Sequence, residues 1–126
     1  MEIKLNDMIG EYGLYATQPY AQGDVLFVLS GEIFANPTRE TIYVGDGIHI
    51  HDPFGIYINH SFNPSVRIES YNVRAARDIN AGDEITFDYN QNEIQMANPF
   101  YSDGILVCGK SNELSKKLID KMRRIK

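Results

Sequence analysis

From its N-terminus to about residue 90 the chain is a succession of short β-type runs broken by Gly, Asn, Asp and Pro, with no stretch of helical period. Residues 14–16, 24–30, 41–44, 48–51, 66–70, 73–76 and 84–88 read as strands. Between them stand Gln22-Gly23-Asp24, Gly45-Asp46-Gly47 and Asn80-Ala81-Gly82-Asp83, turn sequences whose Gly and Asn tolerate positive φ. The pattern predicts a mostly β body without internal repeat or low-complexity segment. Residues 90–104 lack a period, contain Asn98-Pro99, and read as a long connection, which in a compact domain tends to be functional or mobile.

The end of the chain changes character. Leu114, Leu118, Met122 and Ile125 recur at three- and four-residue spacing, with Ser111 and Asn112 available as N-caps, and predict a C-terminal amphipathic α-helix. Its basic residues crowd the last turns, where cations complement the negative end of the helix dipole. Either its apolar stripe docks on the body, or it serves an anionic partner or a lid over a substrate cleft.

A length of 126 residues suits one domain with a core of its own. No apolar run approaches the ~20 residues of a membrane-spanning helix, so no membrane partner is expected. The start, Met1-Glu2-Ile3-Lys4-Leu5-Asn6-Asp7, lacks a basic patch followed by an apolar stretch, which predicts an unsecreted protein of the cytoplasm or nucleus. A single cysteine, Cys108, excludes an intramolecular disulfide and cannot alone build a structural zinc site; as a buried small hydrophobe it needs no further role. The net charge of −5 hides an asymmetry: from Lys110 onward basic residues dominate, and the preceding body is strongly acidic. Such a body attracts a basic protein segment and repels nucleic acid, unless its carboxylates merely keep the surface soluble.

Two segments carry specific chemistry: Tyr57-Ile58-Asn59-His60-Ser61-Phe62-Asn63-Pro64-Ser65, and Arg77-Asp78-Ile79 continuing to Gly82-Asp83-Glu84-Ile85-Thr86-Phe87-Asp88-Tyr89. An Asn side chain can accept from a ligand's ammonium while donating elsewhere. Read as a strand, the second segment puts Ile85, Phe87 and Tyr89 on one face and Thr86 and Asp88 on the other. Together with Glu11-Tyr12-Gly13-Leu14-Tyr15-Ala16-Thr17, Tyr20-Ala21-Gln22-Gly23-Asp24 and Ser30-Gly31-Glu32, these segments resemble, in order, the signatures of the SET-domain protein-lysine methyltransferases. The resemblance covers roughly residues 10–112, and its nearest likeness is to the minimal SET proteins of viruses and bacteria.

The resemblance implies the SET-domain (β-clip) fold, small sheets around a pseudoknot in which the segment holding Tyr89 passes beneath a loop near Asn59. It implies one SET domain over residues 1–126, with a degenerate, zinc-free tail segment and the helix over about 104–126. It implies S-adenosylmethionine as cosubstrate, held by Tyr12, Gly13, Leu14, Tyr57, Asn59 and the main chain of His60, with the His60 ring packed in the core. Tyr89 becomes the catalytic tyrosine. Phe87 stands where a phenylalanine favours di- or trimethylation over a single methyl, and Tyr43 and Tyr101 are further candidates, by residue type, for aromatic walls of a lysine channel.

Three departures accompany the match. Glu11 replaces the first glycine of a Gly-x-Gly turn; Phe62 replaces the cysteine of the second motif; and Val107-Cys108-Gly109-Lys110-Ser111-Asn112-Glu113 looks like an eroded cysteine tail. Loss of both cysteine sets implies no zinc, with apolar packing of Phe62 against residues 105–107 or the final helix closing the channel instead. The interval from Glu32 to Asn59 is short for the family. His49 and His51 share a strand face, and with Asp52 they form a weak metal candidate without an evident third ligand.

Methylating lysine requires a neutral amine, whereas free lysine has a pKa near ~10.4. Burial and a nearby sulfonium both lower it, so no dedicated base is obligatory. The leading expectation is a protein-lysine N-methyltransferase acting on a basic, histone-like protein. The alternatives are a SET-fold binding module without turnover and a structural protein on the same architecture; a homodimer that helps form the substrate groove follows only by analogy.

Overall fold

The computed structural model describes residues 1–93 and 96–109. In chain order the strands are β1 (Glu2–Asn6), β2 (Glu11–Tyr15), β3 (Val25–Val28), β4 (Glu32–Phe34), β5 (Ile42–Gly45), β6 (Ile48–His51), β7 (Asn59–His60), β8 (Val66–Glu69), β9 (Asn72–Ala75), β10 (Glu84–Phe87), β11 (Phe100–Ser102) and β12 (Ile105–Val107). A 3-10 turn at Gly55–Tyr57 precedes β7, and a single helical turn, α1 (Tyr89–Asn92), follows β10. The strands make four small sheets, ordered β1-β2-β10-β7, β3-β9-β8, β4-β6-β5 and β11-β12. The mostly β expectation holds.

Local chemistry explains most of the turns. In the β5–β6 hairpin Gly45, Asp46 and Gly47 all lie at positive φ, the conformation their side chains tolerate. Two further turns are near copies of one another. In Ala21-Gln22-Gly23-Asp24 and Asn80-Ala81-Gly82-Asp83 the aspartate carboxylate accepts from the N–H three residues earlier, at 2.9 Å in each, and the glycines have φ of 92° and 91°. The segments entering them are joined by an antiparallel bridge between Tyr20 and Ile79. The turn is a local repeat too short to register as one in the sequence.

The core is built from side chains of several sheets. Leu14, Leu29, Ile58, Val66, Val73, Ile79 and Ile85 are all but fully buried. β10 is central to it, pairing antiparallel with β2 (Ile85 opposite Leu14) and parallel with β7 (Thr86 opposite Asn59, Phe87 opposite His60). Distant parts of the chain thereby lie side by side. Gly31, at φ 145°, lies so close to the His51 carbonyl that a Cβ there would collide with it.

The structure corrects the sequence reading in several places, and β4, β7 and β12 lie outside the expected strand runs. β1 was not expected: its residues are mostly exposed, and it exists by pairing with β2 across the turn ending at Gly10. Residues 90–104 are not a plain connection, because α1 and β11 occupy part of them. Tyr89 does not continue the strand, since Asp88 turns the chain into α1 by accepting the Asn90 N–H at 2.9 Å. The expected C-terminal helix lies outside the described residues.

Candidate functional site

Asn59 fastens three strands. Its Nδ2 donates to the Tyr12 carbonyl at 3.0 Å and to Glu84 Oε2 at 2.9 Å, tying β7 to β2 and β10. This explains Gly13 differently from the sequence reading. A Cβ at that position would sit 2.9 Å from Glu84 Oε2 and 3.3 Å from Asn59 Nδ2, so the missing side chain makes room for the protein's own polar pair. The Asn59 Oδ1 makes no hydrogen bond among the described residues.

Tyr89 stands at the other end of this seam. Its N–H donates to His60 Nδ1 at 3.1 Å and its hydroxyl donates to the Ile58 carbonyl at 2.5 Å. Its ring lies 4.6 Å from Phe87, 5.2 Å from His60 and 6.1 Å from Phe100, centroid to centroid. Burial, then the charges of Glu93, Glu11 and Glu84, push the phenol well above its usual range, so it stays a protonated donor.

His60 is packed, as expected, but only half satisfied. Nδ1 accepts from Tyr89, which leaves the proton on Nε2, a buried atom with no partner among the described residues. Burial lowers its pKa against the opposing pull of Asp88 and Asp103, keeping the ring neutral. Phe62 meets the ring edge-on at 4.3 Å and Phe100 at 6.0 Å. Phe100 belongs to the β11–β12 hairpin, which Asn90 anchors: its Nδ2 donates to the Leu106 carbonyl, and its Oδ1 accepts from Cys108 N–H and Gly109 N–H at 2.9 and 3.0 Å. The described start of the eroded tail, residues 107–109, therefore packs beside the site, with Cys108 buried.

Tyr12, Asn59, His60, Phe87 and Tyr89 border one hollow of about 860 Å³, within the range of small-molecule sites. Five other candidates do not line it. Leu14 is fully buried between Ile3 and Ile85, a core residue. Gly13 lies behind the Asn59–Glu84 pair, and Tyr57 meets the Tyr12 ring edge-on at 6.3 Å. Tyr43 turns its ring toward His49, 5.2 Å away, and contributes backbone nearby, an N–H to Glu93 and a carbonyl to Asn92 Nδ2. On β11 it is Phe100 that borders the hollow and its neighbour Tyr101 that does not, as alternation along a strand requires.

The sequence reading missed Phe100, Ile58, Glu11 as a lining residue, and Glu93. Glu93 had no local signal, being an acidic residue in a segment without period. As for the histidine pair, His49 is buried with Nδ1 unpartnered among the described residues, while His51 Nε2 bonds Glu40 at 3.0 Å. Among the described residues no three His, Cys, Asp or Glu side chains cluster as metal ligands would.

Comparison with known proteins matches the same segments. The SET domain family model covers residues 11–90. A histone-lysine N-methyltransferase of Yarrowia lipolytica, H3 lysine-36 specific, is 29% identical over 106 residues, spanning 63% of this chain and 14% of that protein. Methyltransferase flvH of Aspergillus flavus is 34% identical over 80 residues, 60% of this chain and 43% of its own length. The chain thus spans less than half of these curated relatives. Among solved structures, a candidate histone methyltransferase of Plasmodium falciparum superposes with a TM-score of 0.55 at 23% identity, over 70% of this chain and 90% of that one, a likeness of fold. The family match runs from Glu11 to Asn90 and so contains β2, β7 and β10, the strands that meet at the hollow; this chain belongs to the SET domain family.

Proposed function

We propose that the protein is a lysine N-methyltransferase that uses S-adenosylmethionine and acts on a basic, histone-like protein. The observation that carries this reading is the parallel pairing of β7 with β10, which brings Asn59 and Tyr89 to one hollow. The donor set suits such a ligand: an amide oxygen at Asn59 for an ammonium, the buried Nε2–H of His60, and an aromatic border of Tyr12, Phe87, Tyr89 and Phe100. When bound, S-adenosylmethionine supplies an electrophilic methyl group on a sulfonium sulfur.

Tyr89 commits its proton to the Ile58 carbonyl, so its oxygen keeps acceptor capacity for polarised C–H groups and for the amine's N–H. Phe87, 3% exposed and in contact with the Tyr89 ring, brings no second hydroxyl to restrain the amine. That supports di- or trimethyl-lysine as product. Burial in the hollow lowers the lysine pKa toward the neutral amine that attack requires.

The test is methyl incorporation from radiolabelled S-adenosylmethionine into histones by wild type and Tyr89→Phe, with calorimetry of cofactor binding. Incorporation by wild type and its loss in the variant support the reading. Equal incorporation removes the role of Tyr89, and a peptide product that stops cleanly at one methyl in mass spectra removes the role of Phe87. Binding heat without turnover points instead to a binding module on the same fold.

A further inference from the structure

Glu93 follows α1 as its C-cap and is 5% exposed. Its Oε1 and Oε2 accept the Tyr43 N–H at 3.3 and 3.0 Å, and Oε2 also accepts from Asn92 Nδ2 at 2.7 Å. These bonds fix the carboxyl at the border of the hollow but bring it no charge partner. Among the described residues no Lys, Arg or His forms an ion pair with it. Among the described residues the other titratable groups around the hollow are Glu11 and Tyr12 of β2, Arg39 and Glu40 of the turn before β5, His60 of β7 and Tyr89 of α1. Glu40 is already bound to His51, and His60 is neutral. Among the described residues three acidic residues and one arginine therefore line the hollow, and the most buried of the three carboxyl groups forms no ion pair with any of them. Burial pushes its pKa up to about 7, against the lowering effect of the Tyr43 and Asn92 donors.

We propose that Glu93 is the counter-charge for the substrate lysine and the acceptor of its ammonium proton. The inference rests on the methyltransferase reading of the same hollow. A buried carboxylate without a cation is a costly ion, and an ammonium entering the hollow supplies what it lacks. The transfer balances: one proton leaves the lysine Nζ and lands on a Glu93 oxygen, so an ammonium and a carboxylate become an amine and a carboxylic acid. Low polarity favours this neutral pair over the charged one, and the amine is left with the lone pair that attack requires.

The test is a ¹³C NMR titration of the Glu93 carboxyl in the full chain, alone, with a basic lysine peptide, and with the same peptide carrying norleucine. The expected midpoint near pH 7 in the free protein rises by at least one unit with the lysine peptide, whose proton Glu93 takes up, and stays put with the norleucine peptide. In parallel, Glu93→Gln is expected to lower kcat/KM at least tenfold at pH 8 and to abolish the rise in kcat/KM between pH 6 and 8, with S-adenosylmethionine binding unchanged. A Glu93 that titrates as an ordinary carboxylate in the free protein, or that ignores the lysine peptide, overturns the proposal, as does a Gln variant with the wild-type pH profile. Because the titration uses wild type, it decides even where the variant fails to fold. Methyl transfer with an indifferent Glu93 removes this inference alone; a lysine-specific shift without any methyl transfer removes the enzymatic reading and keeps the ammonium site.

Discussion

The β8–β9 hairpin and the seam between β7 and β10 are both two-stranded contacts, yet they are held in different ways. In the hairpin four residue pairs follow one another from Val66 opposite Ala75 to Glu69 opposite Asn72, and Val66, Val73 and Ala75 are completely buried. The seam has two residue pairs only. Side chains extend it: Ser65 Oγ donates to the Glu84 carbonyl and accepts the Thr86 N–H, both at 2.9 Å, beside the Asn59, His60 and Tyr89 bonds. Where the backbone ladder is short, polar side chains replace it, and in this protein several of those side chains also border the hollow. Stability and the proposed chemistry are therefore coupled in the seam and separate in the hairpin.

The largest effect is expected from Tyr89→Phe. Methyl transfer should fall by roughly 10²–10³, the scale for removing one oriented polar group from an active site, while the melting free energy changes by only about 1 kcal/mol for one hydrogen bond. Parallel loss of activity and fold would instead make Tyr89 a purely structural residue. Next comes Glu93. Its folded pKa of about 7 stands above the ordinary 4.5, so the folded state retains a proton that the unfolded chain gives up. That contribution is whole below about pH 4.5 and is lost as pH rises through 7; it corresponds to roughly 3 kcal/mol. Urea unfolding should show Glu93→Gln gaining on wild type by up to that amount between pH 5 and pH 8, and a gap that does not change with pH would contradict the burial argument.

Smaller effects separate the two regions. Ser65→Ala removes the side-chain partner of the part-buried Glu84 carbonyl and Thr86 N–H from a fully buried position and should cost roughly 2 to 3 kcal/mol, with a loss of activity at temperatures where the variant stays folded. Val73→Ala, in the hairpin, should cost about 2 kcal/mol from lost apolar burial and leave kcat/KM unchanged under the same conditions. If both variants lose activity in proportion to stability, the hairpin and the seam are one cooperative unit and the contrast between them fails.

What was legible in the chain follows the same division. The runs at 24–30, 41–44, 48–51, 66–70, 73–76 and 84–88 correspond to β3, β5, β6, β8, β9 and β10, because side-chain type and turn residues act locally on the backbone. β1 escaped because its exposed residues carry no pattern, and β7 because two residues are too few to show one. Tyr43 and Tyr101 were chosen by residue type, which says nothing about direction; strand alternation gave the hollow Phe100 instead of Tyr101. The resemblance gave Gly13 a place among the residues holding the cofactor, and only the structure shows that a Cβ there would meet Glu84 and Asn59.

By itself, then, the order of residues determined the patterned strands, the tight turns and the membership of the family, all of which depend on neighbours in the chain or on the succession of motifs. Only the tertiary structure decided that Tyr89 leaves the strand at Asp88, that Asn59 spends its amide on the protein's own β2 and β10, and that Glu93 comes to rest at the hollow without an ion-pair partner among the described residues. The reason is physical: each of these depends on burial and on partners many residues away, and neither is encoded in the local preference of any one segment.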